Sequence, residues 1–186
     1  MARPDRPDGA REPFAGPLTP VIAMLAVMWV LEILDVILDG RLDRYGIAPR
    51  EWSGLDGVLW APFLHGGFGH LIANSVPFFV LGSVIALGAL SRFVVVTVIV
   101  GLIGGLGTWL IGPERTVHIG ASGLVFGYLT YLLTRGVFAR SLAYLAGGVV
   151  VFMLYGGVLW GLLPSPGISR QGHLFGALGG VVAAYA

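Results

Sequence analysis

Six apolar stretches, each closed by a charged or Pro/Gly-rich segment, constrain this chain more than any other feature. They run Leu18–Leu38, Gly69–Leu90, Phe93–Ile111, Gly120–Thr134, Ser141–Leu163 and Gln171–Ala186. A membrane-spanning helix uses about 20 mostly apolar residues, so the pattern predicts an all-α membrane protein with six spans. Only 11% of the 186 residues are charged, less than half of the roughly 25% usual in a soluble domain. That excludes an ordinary soluble enzyme, and the apolar content excludes a disordered chain. What remains outside the spans is too short for a separate soluble domain. The expected organisation is a disordered N-terminal tail, residues 1–17, rich in Arg, Asp, Pro and Gly, followed by one membrane domain, residues 18–186.

The connections carry further signals. Asp39–Leu64 is the longest and mixes charges with Tyr45, Trp52 and Trp60, a composition suited to a membrane surface. Glu32 and Asp35 lie near the end of the first span, within reach of the interface or of that loop. Pro77 falls inside the second span, which membrane helices tolerate. All eleven basic residues are arginine, a bias associated with GC-rich bacterial genes. With the N-terminus cytoplasmic, Arg3, Arg6, Arg11, Arg92, Arg135 and Arg140 lie inside, and Arg41, Arg44, Arg50, Arg115 and Arg170 outside. The positive-inside rule favours this orientation narrowly. A net charge of +1 points to no nucleic acid. The absence of cysteine removes disulfides, thiolate nucleophiles and Cys-type metal sites. No cofactor and no metal are expected.

The second, fourth and sixth spans run in the same direction, so their N-terminal ends share one membrane face. On those ends lie His70 and Asn74, Ser122, and His173. Polar groups are costly in a bilayer unless they pair or line a wet cavity. Gly172, Gly176 and Gly180 recur every fourth residue and give the sixth span a smooth face for close helix contact. Packed on the glycine face of the fourth span, this stripe brings His173 to Ser122, where a neutral imidazole can take the hydroxyl proton. His70 and Asn74, at i and i+4, share a helix face and can donate to an oxyanion, as can the Ser122 backbone N–H at a helix start.

With these residues in place, the chain resembles the rhomboids, a family of intramembrane serine proteases. The resemblance rests on His65-x4-His70-x3-Asn74, on Gly120-Ala121-Ser122-Gly123 and on His173-Leu174-Phe175-Gly176, in order on the second, fourth and sixth spans. It implies a six-helix rhomboid-like bundle in which Ser122 is the nucleophile and His173 the general base. It further implies an oxyanion hole of His70, Asn74 and the Ser122 N–H, with His65 structuring the loop that enters the second span. Gly120, Gly123, Phe126 and Gly176 would shape the site. The implied substrates are transmembrane proteins, cut in or near their spans. They would enter beside the fifth span, beneath a lid at Pro164–Gln171. The implied setting is the bacterial cytoplasmic membrane, with the site opening to its outer face.

The chain departs from the family pattern in two places. Phe126 stands where the family often has Tyr, and Asp56-Gly57 stands where many members have a Trp-Arg pair. Nothing follows the sixth span, as in the minimal six-helix form. Two other readings compete. One is a catalytically inactive relative that binds transmembrane helices, disfavoured because Ser122 and His173 are both present. The other is a small transporter or metal-binding protein, disfavoured by the lack of a helical His-x3-His and of cysteine. His118 reads as an exposed loop histidine.

Overall fold

A computed structural model describes residues 15–138 and 169–186, with residues 140, 146, 149, 150 and 153. The tail up to residue 14, most of the predicted fifth span and the loop at 164–168 lie outside the described residues. The longer helices are α1 (Ala15–Ile37), α3 (Phe68–Gly88), α4 (Leu90–Ile111), α5 (Ser122–Phe138) and α6 (Arg170–Tyr185), with a single-turn helix, α2 (Gly57–Trp60), between α1 and α3. These longer helices correspond to the predicted first, second, third, fourth and sixth spans. Three helices are long and apolar enough to cross a bilayer, at Gly16–Ile37, Phe68–Gly88 and Leu90–Ile111. Helices α5 and α6 have 17 and 16 residues, a rise of about 25 Å at 1.5 Å per residue, short of the roughly 30 Å hydrocarbon core.

Helix α1 begins three residues before the expected first span and carries Pro20 within it. Its buried residues Val21, Met28, Glu32 and Asp35 follow helical spacing and form one face. Trp29 Nε1 donates to Ser75 Oγ at 3.2 Å and ties α1 to α3. The turn expected around Arg92 lies earlier. Helix α3 stops at Gly88, Ala89 alone is extended (φ −172°), and α4 starts at Leu90. Glycine is a poor helix residue and a good terminator, which accounts for the shift. The core joins Phe78, Leu81 and Ile85 of α3, Phe93, Val96 and Val100 of α4, and Tyr128 and Leu129 of α5. The Tyr128 hydroxyl is satisfied inside this core by Thr97 Oγ1 at 2.8 Å.

The long connection folds into short 3-10 turns and α2. It is pinned to the end of α4, where Arg50 Nη1 donates to the carbonyls of Leu110 (3.2 Å) and Gly112 (2.8 Å). A cation at a helix C-terminus is favourable, because the last carbonyls there lack intrahelical donors. Trp52 is 82% exposed, as a residue meeting headgroups would be. At the other end of the connection, Asp35 Oδ1 accepts from the Leu42 N–H at 2.6 Å, so the α1 carboxylate pairs with this loop.

Beside that contact, Asp43 Oδ1 is buried without a hydrogen-bond partner. Burial first, and Asp35 second, push the Asp43 carboxyl up from 3.8 to about 6. The folded protein therefore keeps a proton that the unfolded chain releases between these values. Stability is highest below the lower value, falls as pH rises through the window, and stays lower above about 6. Asp43→Asn removes the penalty and should raise the melting temperature in detergent at neutral pH by about 2 °C. Below the ordinary carboxylate range the variant and the parent should melt together. A lower melting temperature for the variant at neutral pH would contradict the assignment.

Candidate active site

Helix α6 carries Gly172, Gly176 and Gly180 against α5. A Cβ at Gly176 would run into the backbone carbonyl of Gly123, and one at Gly180 into that of Gly127. A Cβ at Gly123 would lie 3.3 Å from the Gly172 carbonyl oxygen. On its other side α6 meets α4, where a Cβ at Gly104 would sit 3.5 Å from the Gly176 Cα. Lipid tails give apolar helices little hydrophobic reason to associate, so close backbone approach of this kind carries the packing. Thr130 Oγ1 adds an interhelical bond to the Ala177 carbonyl at 2.7 Å.

This seam sets the distance between two polar side chains. Ser122 is the first residue of α5, and His173 lies in the first turn of α6. His173 Nε2 and Ser122 Oγ are 2.8 Å apart. His173 is buried, and the Phe126 ring stacks on it at 4.1 Å between centroids and 13° between planes. An imidazole held at this distance can accept the serine proton, and its orientation is fixed by the stacked ring.

Gly120 precedes the serine with φ +114°, a conformation that a side chain would strain. The His70 ring lies over it, and a Cβ there would be 2.8 Å from His70 Nε2. His70 Nδ1 accepts from the Gly66 N–H at 3.4 Å, which leaves the hydrogen on Nε2, the ring nitrogen nearer Gly120. Asn74 Nδ2 gives one hydrogen to the His70 carbonyl at 3.0 Å, and an amide nitrogen carries a second. As the first residue of α5, Ser122 offers a backbone N–H without an intrahelical acceptor.

The structure thus brings Ser122, His173, Phe126, Gly123 and Gly176 together at the α5–α6 seam, and sets His70 over Gly120. His65, expected to structure the loop entering α3, also reaches the segment before the serine. Its Nε2 accepts from the Ala121 N–H at 3.3 Å, so it braces the segment just before the serine as well as standing at the entry to α3. Burial first, and His70 second, hold its pKa down to about 4, so the ring stays neutral and able to accept.

His118 corrects an expectation. It is half-buried, with hydrogen bonds to Thr116 and Ser169, because its backbone pairs with Ile47 in an antiparallel bridge that draws the loop inward. A cleft partly open to solvent lies beside Ser122, lined by Val58, Ala61, Gly104, Thr108, His118 and Ser169. The expected lid at Pro164–Gln171 is described only at Ser169, Arg170 and Gln171, and the entry beside the fifth span lies outside the described residues.

Comparison with known proteins agrees with this architecture. A family model for the rhomboid domain matches residues 52–186. An uncharacterized protein of Mycobacterium tuberculosis (strain ATCC 25618 / H37Rv) is 47% identical over 176 residues, covering 90% of this chain and 73% of the relative. An uncharacterized protein of Mycobacterium leprae is 44% identical over 174 residues, 89% of this chain and 69% of the relative. A Bacillus subtilis protein named "Putative rhomboid protease YdcA" is 31% identical over 177 residues, 90% of this chain and 86% of its own length.

Proposed function

Because this chain belongs to the rhomboid family and is an integral membrane protein, we propose that it is an intramembrane serine endopeptidase using Ser122 and His173 as a catalytic dyad. The observation that carries this reading is the 2.8 Å approach of His173 Nε2 to Ser122 Oγ across a seam of glycines. The side chains come from separate helices and meet where both helices begin.

In this reading Ser122 Oγ attacks the scissile carbonyl as its proton passes to His173 Nε2. The carbonyl oxygen becomes an oxyanion, received by the Ser122 N–H, His70 Nε2–H and the second hydrogen of Asn74. A donor of this kind is worth about 100- to 1000-fold in rate. His173 then returns the proton to the leaving amine, and the acyl-enzyme forms. Water, deprotonated by the same imidazole, releases the second product. Phe126 keeps the ring in plane throughout, and no third carboxylate is required.

The substrates are single- or multi-span membrane proteins cut in or near a transmembrane segment. The membrane domain begins at residue 18 and has six spans, the fifth supplied by the segment at Ser141–Leu163. The N-terminus faces the cytoplasm and the site opens to the outer face of the cytoplasmic membrane. A serine-directed phosphonate, applied to the folded protein in proteoliposomes with a single-span substrate, tests the chemistry. Label on Ser122 with matching loss of cleavage is expected. Absence of cleavage and of label in well-folded protein would favour an inactive relative that only binds transmembrane helices.

A further inference from the structure

His118 has no part in the chemistry above, yet its ring is bonded on both sides. The directions of these bonds follow from the donors available. Thr116 Oγ1 donates to the Pro113 carbonyl at 2.6 Å, so at its 2.9 Å contact with His118 Nε2 it must accept. The ring hydrogen is therefore on Nε2, and Nδ1 is an acceptor. Ser169 Oγ, 2.7 Å from Nδ1, donates to it. Ser169 is the N-cap of α6, and its Oγ accepts from the Gly172 N–H at 3.2 Å. Its carbonyl oxygen accepts from the His173 N–H at 3.0 Å. The run from Gly172 through Ser169, His118 and Thr116 to Pro113 is satisfied at every step. Burial disfavours a charged ring here and so favours the neutral tautomer the run requires.

The backbone of His118 belongs to the other half of the site. Its N–H and carbonyl each bond Ile47 at 2.9 Å, and four residues later the same segment delivers Ser122. We propose that His118 is a positioning residue that sets the spacing of the dyad, by tying the cap of the helix carrying His173 to the segment carrying Ser122. This deepens the protease reading and rests on it. The glycine seam seats the body of α6 on α5, and Ser169 alone would cap the helix without adding a tie from its first turn to the serine segment. His118 converts a local cap into a cross-tie. Among the described residues no acidic or basic side chain contributes a bond to the run, so it acts by geometry.

The test compares kcat and KM for a single-span substrate in proteoliposomes. His118→Leu should lower kcat about tenfold with KM within twofold, since a small misplacement of reacting groups is costly in rate. His118→Gln, whose amide offers an acceptor and a donor at similar separation, should recover most of that loss. Ser169→Gly keeps a tolerated cap residue but removes the partner, and should lose about as much as His118→Leu. The two losses together should not multiply.

Wild-type kcat in His118→Leu, equal loss in the Leu and Gln variants, or multiplicative losses would overturn the proposal. If His118→Leu does not fold, wild-type kcat in Ser169→Gly overturns it alone. Cleavage unaffected by Ser122→Ala would instead overturn the protease reading, whereas dependence on Ser122 with indifference at His118 and Ser169 overturns only the cross-tie.

Discussion

Alanine at Ser122, at His173 or at both should lower kcat on a single-span substrate by one common factor, about 10,000-fold or more, with substrate binding little changed. Nucleophile and base act as a unit, so removing either forfeits nearly everything the pair provides, and removing the second adds little. Among the described residues, the group placed to take the serine proton is His173 Nε2, 2.8 Å from Ser122 Oγ. Both changes are small deletions at a seam held elsewhere by glycine contacts, so the variants should fold. Co-purification of the Ser122→Ala protein with uncut substrate is therefore expected. Losses that multiply in the double variant, or cleavage that survives both single changes, would remove the dyad from the account.

Gly176→Ala should also lower activity strongly, by a different route. The added methyl points at the Gly123 carbonyl, a backbone atom that cannot swing aside like a side chain. Overpacking of this kind costs about 1–3 kcal/mol, or a melting temperature lower by several degrees. Pushing α6 from α5 by about 1 Å also separates His173 from Ser122, and such a displacement costs about 100-fold in kcat. Leu178→Ala, a change on an exposed face of the same helix, provides the control and should leave kcat within twofold. Wild-type activity and melting in Gly176→Ala would mean that the glycine seam does not set the site.

Much of this site was legible from spacing alone. The four-residue recurrence of Gly172, Gly176 and Gly180 is a helix face by arithmetic, and the structure packs it on Gly123 and Gly127. His70 and Asn74 share a face for the same reason. Helix ends were less legible: α1 begins at Ala15, before the expected Leu18, and Gly88 ends α3, each a local preference decided by neighbours. The part of His118 could not be read at all. Its partners, Ile47 and Ser169, lie far from it in sequence, and no periodicity links three loop residues. His65 was read as serving its own loop, but its acceptor atom faces Ala121, a contact made only when α3 and α5 are side by side.

Ala89 is the whole connection between α3 and α4, one extended residue between two helices of 21 and 22 residues. A joint that short has no slack. The pair behaves as a stiff hairpin, and neither arm can slide along its axis without dragging the other. One arm bears His70 and Asn74 at its far end, and the other bears Gly104, against which α6 is seated. The frame that registers His70 and Asn74, the proposed oxyanion donors, is thus the same frame that registers His173, the proposed base. Whatever yields when a long substrate enters must be an element with more rope.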